Sequence, residues 1–224
     1  MTTPRTLALF AKQPFPGRVK TRLASATSPE WAAALSEAFL LDALDSFQGF
    51  PGRRVLVYDP PEADNYFQSV ATGRFALVPQ TGGDLGQRLL ACFESEFALG
   101  SSAVIIVGTD SPTLPISIVL QAAEDLNQSD VVVGPATDGG YYLIGCTGLL
   151  PALFRGVSWS TNRVFSETIA RIAEAGAHLS LLPPWYDVDT LDDVRMLRNH
   201  LAAMRVAGMT LRPLRTEALL EVAT

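Results

Sequence analysis

Short apolar segments alternate with longer helix-like segments along most of this 224-residue sequence. The segment Ala103–Gly108 contains Ala-Val-Ile-Ile-Val and is continuously apolar. Such a run is typical of a strand that helices cover on both faces. Strands that alternate with helices are usually parallel and joined by right-handed crossovers. The sequence therefore predicts an α/β fold with a doubly wound, mostly parallel, Rossmann-like sheet.

The pattern predicts strands and helices with the following bounds. The predicted strands are Thr6–Ala11, Arg54–Tyr58, Phe75–Pro79, Ala103–Gly108, Asp130–Gly134, Tyr141–Cys146 and His178–Leu182. The predicted helices are Pro29–Phe47, Asp84–Leu99, Pro115–Gln128, Thr161–Ala175 and Leu191–Met204. Ser28 followed by Pro29 is a typical helix start, and Gly176 is a typical helix end. The sequence Thr190–Asp193 resembles a capping box.

Length and composition predict one domain over residues 1–207. Hydrophobic residues make up 48% of the chain and charged residues 18%, which is enough apolar material for a sizeable core. Neither a linker nor a repeat divides the sequence. Residues 208–224 form a C-terminal tail of uncertain structure, for which a short added strand, an interface arm and disorder all stay open.

Charge and cysteine usage narrow the class of protein. The formal net charge of −6 argues against nucleic-acid or anionic-membrane partners. The first apolar run, Thr6–Ala11, is too short for a signal-peptide core or a transmembrane helix. Cys92 and Cys146 are far apart, which is more typical of a reduced cytoplasmic protein than of a disulfide scaffold. His178 and His200 lie outside the loops considered below, so a Ser-His-Asp mechanism is disfavoured.

A cationic loop follows the first predicted strand. It carries Lys12, Arg18, Lys20 and Arg22 in an otherwise acidic chain. Ligands of α/β sheets bind at the carboxyl ends of strands, and clustered cations favour a phosphate or diphosphate. Gly17 lets the backbone approach such an anion closely. A solvated basic turn explains the composition equally well, and the spacing is not that of a Walker A loop.

Two acidic motifs are candidate metal ligands. Asp110 follows the most apolar predicted strand, where one carboxylate, substrate phosphates and waters commonly hold Mg²⁺. Asp187 and Asp189 are two residues apart, so in an extended segment they point the same way and can converge on one ion. The structural alternatives are a helix cap for Asp110 and turn chemistry with capping for the second pair.

Two glycine-containing loops complete the set. In the first, Gly82 and Gly83 allow a flat base to lie on the backbone, while Gln80 offers an amide edge. The alternative is a plain helix N-terminus with Asp84 in its first turn. In the second, Asp138 precedes two glycines, which is an ordinary hairpin signal, although its carboxylate can also accept from a sugar hydroxyl.

In their order along the chain, these loops resemble the nucleotide-diphospho-sugar transferases of the GT-A fold. More closely, the sequence resembles the bacterial radical-SAM/selenodomain-associated transferase family, which is similar to guanylyl- and cytidylyltransferases. The resemblance runs from about Thr6 to Leu197 and rests on Phe10–Arg22, Gln80–Arg88, Gly108–Pro112, Asp138–Gly145, Val157–Thr161 and Asp187–Thr190.

The resemblance implies roles for these residues. Asp110 would hold Mg²⁺ or Mn²⁺, with Asp187 or Asp189 as its second ligand. The candidate catalytic residues are Asp110, Lys20 and Asp138. The candidate nucleotide-binding residues, at the phosphates or by the base and ribose, are Lys12, Gly17, Lys20, Arg22, Gln80, Gly82, Gly83 and Asp84.

The function expected first is a metal-dependent glycosyltransferase with a nucleotide-diphospho-sugar donor and a small-molecule acceptor. Metal and cations would neutralise the leaving diphosphate, and no protein nucleophile is needed. The alternative is a nucleotidyltransferase that uses a nucleoside triphosphate and releases pyrophosphate. It is suggested because Ser-Pro follows Asp110, whereas glycosyltransferases usually carry Asp-x-Asp. A non-catalytic nucleotide-binding module is the third possibility.

Overall fold

A seven-stranded sheet runs through the structure, a computed structural model that describes residues 4–71 and 73–222. Its strands are β1 (Thr6–Lys12), β2 (Arg53–Asp59), β3 (Ala76–Pro79), β4 (Val104–Gly108), β5 (Val131–Pro135), β6 (Tyr141–Cys146) and β7 (Leu179–Leu181). The spatial order is β3-β2-β1-β4-β6-β5-β7. Only β6 among these runs antiparallel to its neighbours, β4 and β5. The prediction of a mostly parallel sheet is confirmed.

Helices connect these strands. They are α1 (Thr21–Ala26), α2 (Pro29–Phe47), α3 (Asp64–Ala71), α4 (Leu85–Ala98), α5 (Ile116–Asp125), α6 (Val164–Glu174), α7 (Leu191–Val206) and α8 (Leu214–Val222). The predicted start of α2 is confirmed, since Ser28 Oγ accepts from Trp31 N at 3.1 Å. The predicted capping box is also present, with Thr190 and Asp193 each accepting from the other's backbone.

The sheet is covered on both faces, as a doubly wound fold requires. Successive residues of a strand point to opposite faces. In β4, Ile105 and Val107 belong to the core cluster that contains residues of α5. Val104 and Ile106 belong to a second cluster that contains residues of α4 and α6. The fully apolar run that suggested a buried strand therefore fills two separate cores.

The C-terminal tail forms a helix on the outside of α2. A third core cluster joins residues of α1, α2, α7 and α8. Asp42 of α2 accepts from the backbone N–H groups of Arg215 and Thr216, at 3.1 and 2.9 Å. For the C-terminal tail, the sequence left three possibilities open: a short added strand, an interface arm or disorder. The structure instead has a helix that packs against α2. The division into a domain at 1–207 and a tail at 208–224 stays a prediction, and residues 1–3, 72 and 223–224 lie outside the described part.

Two further features bear on the class of protein. Cys92 and Cys146 are both buried free thiols. In the ranges 4–71 and 73–222, no helix combines the length and the apolar character that a bilayer crossing needs.

Candidate functional site

The carboxyl ends of six strands share one edge of the sheet. This follows from the pairing, because β1, β2, β3 and β4 are parallel, and the two antiparallel pairings of β6 leave β5 and β7 parallel to β4. The loops that carried the sequence motifs begin at this edge. An isolated bridge between Ala136 and Trp185 joins the loop after β5 to the loop after β7. The chain therefore gathers its candidate residues on one rim.

Lys20 lies at the centre of the acidic residues. Its Nζ is 2.5 Å from an Asp110 carboxylate oxygen and 2.9 Å from an Asp189 carboxylate oxygen. The Lys20 side chain is only 4% exposed, whereas those of Asp110 and Asp189 are 53% and 42% exposed. Three loops that are distant in sequence therefore meet at one buried ammonium group.

The carboxylate partners of Lys20 stabilise its protonated form. Burial alone lowers the pKa of this amine, but the nearby Asp110 and Asp189 carboxylates outweigh burial and raise it. The ammonium also lies 5.5 Å from the centre of the Phe39 ring. Lys20 is consequently a fixed positive charge between two carboxylates rather than a mobile surface cation.

Asp187 is the third carboxylate of the site. Burial raises its pKa to about 6, against the hydrogen bond that Ser111 Oγ donates to it at 2.5 Å, and Asp110 and Asp138 raise it further by repulsion. The loops are held together by the backbone as well, since Val188 N donates to Asp110 O at 3.0 Å. Asp187 is near enough to Lys20 for the ammonium to lower its pKa, although the ion pairs of Lys20 within residues 4–71 and 73–222 are with Asp110 and Asp189.

Asp110 is not a helix cap. Helix α5 begins after Pro115, and no side chain caps it. Neither Asp110 nor Ser111 is therefore needed to start that helix, which removes the structural alternative. Instead, the Asp110 side chain contributes only to the rim.

The donor set fits a hard divalent cation. Among residues 4–71 and 73–222, no three His, Cys, Asp or Glu side chains are grouped as a ready metal cluster. Asp110 and Asp189 converge on a cation nevertheless, and that cation is the Lys20 ammonium. Mg²⁺ is usually held by one or two carboxylates, with phosphates and water as the other ligands. Two carboxylates at an open rim meet that requirement.

A cleft of about 380 Å³ opens beside the cationic loop. Its walls include Lys12 and Arg18 from that loop and Asp59 and Pro60 from the end of β2. The Arg18 guanidinium lies 5.8 Å from the centre of the Phe15 ring, and Phe15 is half exposed. Phe15 and Asp59 were not singled out in the sequence analysis, although Phe15 lies in the cationic loop after β1 and Asp59 is the last residue of β2.

The remaining cationic-loop candidates are at the same edge. Lys12 ends β1 and is exposed, and Arg22 is exposed on α1. Gly17 has a φ of 78°, in the left-handed region that glycine adopts readily. Lys12 and Arg22 are exposed to an anion in solution, in contrast to the buried Lys20 side chain.

Both the nitrogen and the oxygen of the Gln80 side-chain amide form hydrogen bonds within the protein. Its Nε2 donates to Val57 O at 3.0 Å, and its Oε1 accepts from Arg88 at 3.1 Å. Arg88 also pairs with Asp59 at 3.3 Å. Gln80 therefore joins β2 to α4, and its predicted contact with a base stays a prediction.

The glycine loop before α4 is a helix N-terminus. Asp84 accepts from Gln87 N at 2.9 Å, and Gly83 N donates to Gln87 Oε1 at 2.8 Å. Gly82 has a φ of 109°. The alternative of a helix N-terminus is present in the structure, with Asp84 as the N-cap rather than in the first turn. Nucleotide binding by Gly82, Gly83 and Asp84 stays a prediction.

Asp138 lies in the turn between β5 and β6. Its carboxylate accepts from Gly140 N at 2.8 Å, so the hairpin suggested by Asp-Gly-Gly is present. Gly139 has a φ of 92°, and a Cβ there would lie 2.3 Å from Asn162 O. This glycine is needed because the loop before α6 approaches so closely. Asp138 remains exposed at the rim, and its catalytic role stays a prediction.

A protein-family model matches residues 43–161, and its description is "Uncharacterized protein conserved in bacteria (DUF2064)". Among solved structures, the chain is similar to a protein of Desulfovibrio desulfuricans G20 that is provisionally named a nucleotide-diphospho-sugar transferase. The two are 30% identical with a TM-score of 0.89, and the match covers 98% of each chain. No curated protein sequence matches this chain.

More distant structures share the fold alone. The inositol-1-phosphate CTP transferase from T. maritima is 15% identical, with a TM-score of 0.55, over 85% of this chain and 91% of that one. Rv0371c of Mycobacterium tuberculosis H37Rv, in a complex with manganese, is 16% identical, with a TM-score of 0.51, over 88% of this chain and 98% of that one.

Proposed function

This chain belongs to the DUF2064 family of proteins conserved in bacteria, and we propose that it is a divalent-metal-dependent transferase of the nucleotide-diphospho-sugar type. In this proposal a nucleotide-diphospho-sugar is the donor and a small molecule is the acceptor. We place the reaction in the cytoplasm. The closer relation to radical-SAM/selenodomain-associated transferases stays a prediction that depends on the sequence motifs.

One observation carries the proposal: Asp110, Asp189 and Lys20 come from three loops and meet at the carboxyl edge of the sheet. Such an arrangement handles negative charge, because it combines oxygen ligands for a hard cation with a cationic side chain. Asp110 and Asp189 would hold Mg²⁺ or Mn²⁺. When bound, the ion supplies charge neutralisation for a leaving diphosphate.

The chain's own residues would bind and orient the donor. Lys12 and Arg18 line the cleft beside the site, and Arg22 is exposed nearby on α1, so these cations would attract the diphosphate. Phe15 offers an exposed aromatic face at the same cleft. Holding donor and acceptor in a fixed geometry supplies much of the rate in a direct displacement.

Covalent catalysis by a thiol does not fit this molecule. Cys92 is buried, and burial together with the nearby Glu96 raises its pKa to about 12. Burial raises the pKa of Cys146 as well. Both thiols are therefore protonated and shielded at neutral pH, and an attack by the acceptor itself is the simpler route. Asp138 is the carboxylate we propose as its base if one is needed.

The alternative is a nucleotidyltransferase. It is favoured by the sequence Asp110-Ser111-Pro112, in which Pro112 occupies the position of the second carboxylate of an Asp-x-Asp motif. Ser111 Oγ instead donates a hydrogen bond to Asp187. The same rim would serve, because a nucleoside triphosphate also expels a phosphorylated leaving group. A non-catalytic nucleotide-binding module would use the same cleft but would form no product.

Product analysis tests the proposal. Purified protein with Mn²⁺ and UDP-glucose or GDP-mannose should slowly release nucleoside diphosphate and free sugar, because water can replace a missing acceptor. Asp110→Asn should abolish this release. Asp110-dependent pyrophosphate formation from a nucleoside triphosphate and a sugar phosphate, with nucleotide-sugars left intact, would select the alternative. Nucleotide binding without any product would favour the non-catalytic nucleotide-binding module.

A further inference from the structure

The chain contains only two lysines, and both lie in the cationic loop. Lys12 is exposed at the end of β1. Lys20 is 4% exposed and is shared between Asp110 and Asp189. The two lysines therefore have opposite environments, and the buried one occupies the position between the two carboxylates proposed as metal ligands.

An ammonium and a divalent ion do not fit between these carboxylates together. The Lys20 nitrogen is 2.5 and 2.9 Å from the two oxygens. Mg²⁺ requires oxygen ligands at about 2.0–2.1 Å, so it would lie at nearly the position that the nitrogen takes. Two positive charges at that separation repel strongly in a partly buried site. One of the two cations has to leave.

We propose that Lys20 and the divalent cation compete for Asp110 and Asp189, and that a bound diphosphate resolves the competition by accepting the displaced Lys20 ammonium. This inference rests on the proposed function, which supplies the diphosphate. It adds an order to that function: the metal displaces a built-in counter-ion, and the displaced ammonium gains a new partner only when the anionic ligand is present.

Charge balance makes the exchange depend on the anion. A displaced Lys20 would lose both carboxylates while its side chain is enclosed next to the Phe39 ring. An enclosed charge without a partner is costly. A diphosphate beside the loop provides new charge-assisted hydrogen bonds for the same ammonium. Metal and diphosphate should therefore bind with positive cooperativity.

Lysine reactivity reports the exchange directly, with Lys12 as an internal control. Reductive methylation followed by peptide mass spectrometry separates the two lysines in the wild-type protein. Without metal, Lys12 should react and Lys20 should be protected. Saturating Mn²⁺ should increase the labelling rate of Lys20 at least fivefold, and added pyrophosphate should protect it again. If Mn²⁺ is bound, as measured by electron paramagnetic resonance, and Lys20 stays protected, the proposal is wrong.

Metal affinity provides the second test. Lys20→Met keeps an enclosed side chain of similar length but removes the competing charge, so it should bind Mn²⁺ about tenfold or more tightly than wild type without any anion. Pyrophosphate should strengthen Mn²⁺ binding to wild type and do so much less in Lys20→Met. Lys12→Met, as the matched control, should leave the anion-free Mn²⁺ affinity unchanged.

The outcomes separate this inference from the proposed function. Equal or weaker Mn²⁺ binding by folded Lys20→Met, or no binding by any of the proteins, overturns the exchange. If the exchange occurs as described but neither nucleotide-sugar nor nucleoside triphosphate gives a product, the exchange stands and the transferase proposal fails. If products form in the assay, but Lys20 stays protected in a separate labelling experiment with saturating Mn²⁺ and no anionic ligand, the transferase stands and the exchange fails.

Discussion

At the scale of single residues, Asp110 is the most direct test of the metal site. Asp110→Asn removes one of two carboxylates from the proposed ligand pair, so metal-dependent nucleotide binding should weaken at least tenfold. The free energy of unfolding should fall by only about 1 kcal/mol, because Asp110 is half exposed and Lys20 keeps Asp189 as a partner. Isothermal titration with Mn²⁺ and nucleotide measures the first effect and urea denaturation the second.

Asp192→Asn is a matched control for Asp110→Asn. Asp192 is 85% exposed in the first turn of α7 and pairs with Arg195 of the same helix. The control should change neither metal nor nucleotide binding. Unfolding of Asp110→Asn with normal metal binding in the folded fraction would return Asp110 to a structural role.

Asp187 should make stability depend on pH. Its pKa is about 6 in the folded protein against 3.8 for an unperturbed aspartic acid, and burial is the main cause of the increase. Between these values the folded state binds the proton more tightly, so this group's contribution to stability falls as pH rises, by up to about 3 kcal/mol. Asp187→Asn should remove that slope and raise the melting temperature at pH 7.5.

Thermal melts from pH 4 to 8 in the presence of a chelator check this prediction. Metal must be absent because a bound cation would favour the ionised carboxylate. Asp192→Asn is again the comparison, and its stability should change by only a few tenths of a kcal/mol. A melting temperature of Asp187→Asn below that of wild type at pH 7.5 would contradict the assignment of Asp187 as a carboxylate whose ionised form burial disfavours.

The sequence could place the acidic residues but not the cation between them. Asp110, Asp187 and Asp189 follow strands or precede a helix, and parallel strands end at one edge, so their proximity was predictable. The partner of Lys20 was not, because Asp189 is 169 residues away and the pairing depends on how the cationic loop folds. Gln80 shows the same limit, because no local pattern identifies the contacts of its amide with Val57 of β2 and Arg88 of α4.

At the scale of elements, the length of a helix decided whether the sequence could predict it. The five long helices and seven apolar strands are where the pattern predicted them, with ends shifted by a few residues. The helices that were missed, α1, α3 and α8, have only six to nine residues each. Helices this short are unstable alone, so they form where tertiary contacts hold them. The local sequence pattern does not specify those tertiary contacts.

The stability of helix α8 should depend on its tertiary contact with Asp42. Asp42 is buried and accepts from two N–H groups in the first turn of α8, so Asp42→Ala leaves both unsatisfied. We expect a loss of about 2 kcal/mol in the free energy of unfolding. Hydrogen exchange of residues 214–222 should accelerate, while α2 keeps its protection because Ser28 caps it independently.

Asp45 provides the control for Asp42. It lies one turn away on α2 and pairs with Arg74 and Arg215 at the surface. Asp45→Ala should cost less than about 1 kcal/mol, since exposed ion pairs contribute little. Equal losses in Asp42→Ala and Asp45→Ala, with no change in exchange of the last helix, would show that Asp42 does not hold α8.

At the scale of the whole molecule, positive charge is concentrated in one part of a chain that is acidic overall. The chain carries a net charge of −6, yet its two lysines, Arg18 and Arg22 are concentrated in one loop at the carboxyl edge of the sheet. Three acidic side chains face that loop, so the rim itself is nearly balanced before a ligand arrives. A metal ion and an anionic ligand that bind together preserve this balance, whereas either one alone disturbs it.

Joint binding should therefore appear in the stability of the entire protein. A ligand at 100 times its Kd adds about 2.7 kcal/mol to the free energy of unfolding, which for a domain of this size is a rise of about 5–10 °C in melting temperature. We expect a rise of this order for Mn²⁺ with UDP-glucose or GDP-mannose, and a much smaller one for metal or nucleotide-sugar alone. Asp110→Asn should lose the metal-dependent part of the shift, and Asp192→Asn should keep it. A shift that is the same with and without metal would contradict the metal site, and a shift seen only with nucleoside triphosphates would favour nucleotidyl transfer.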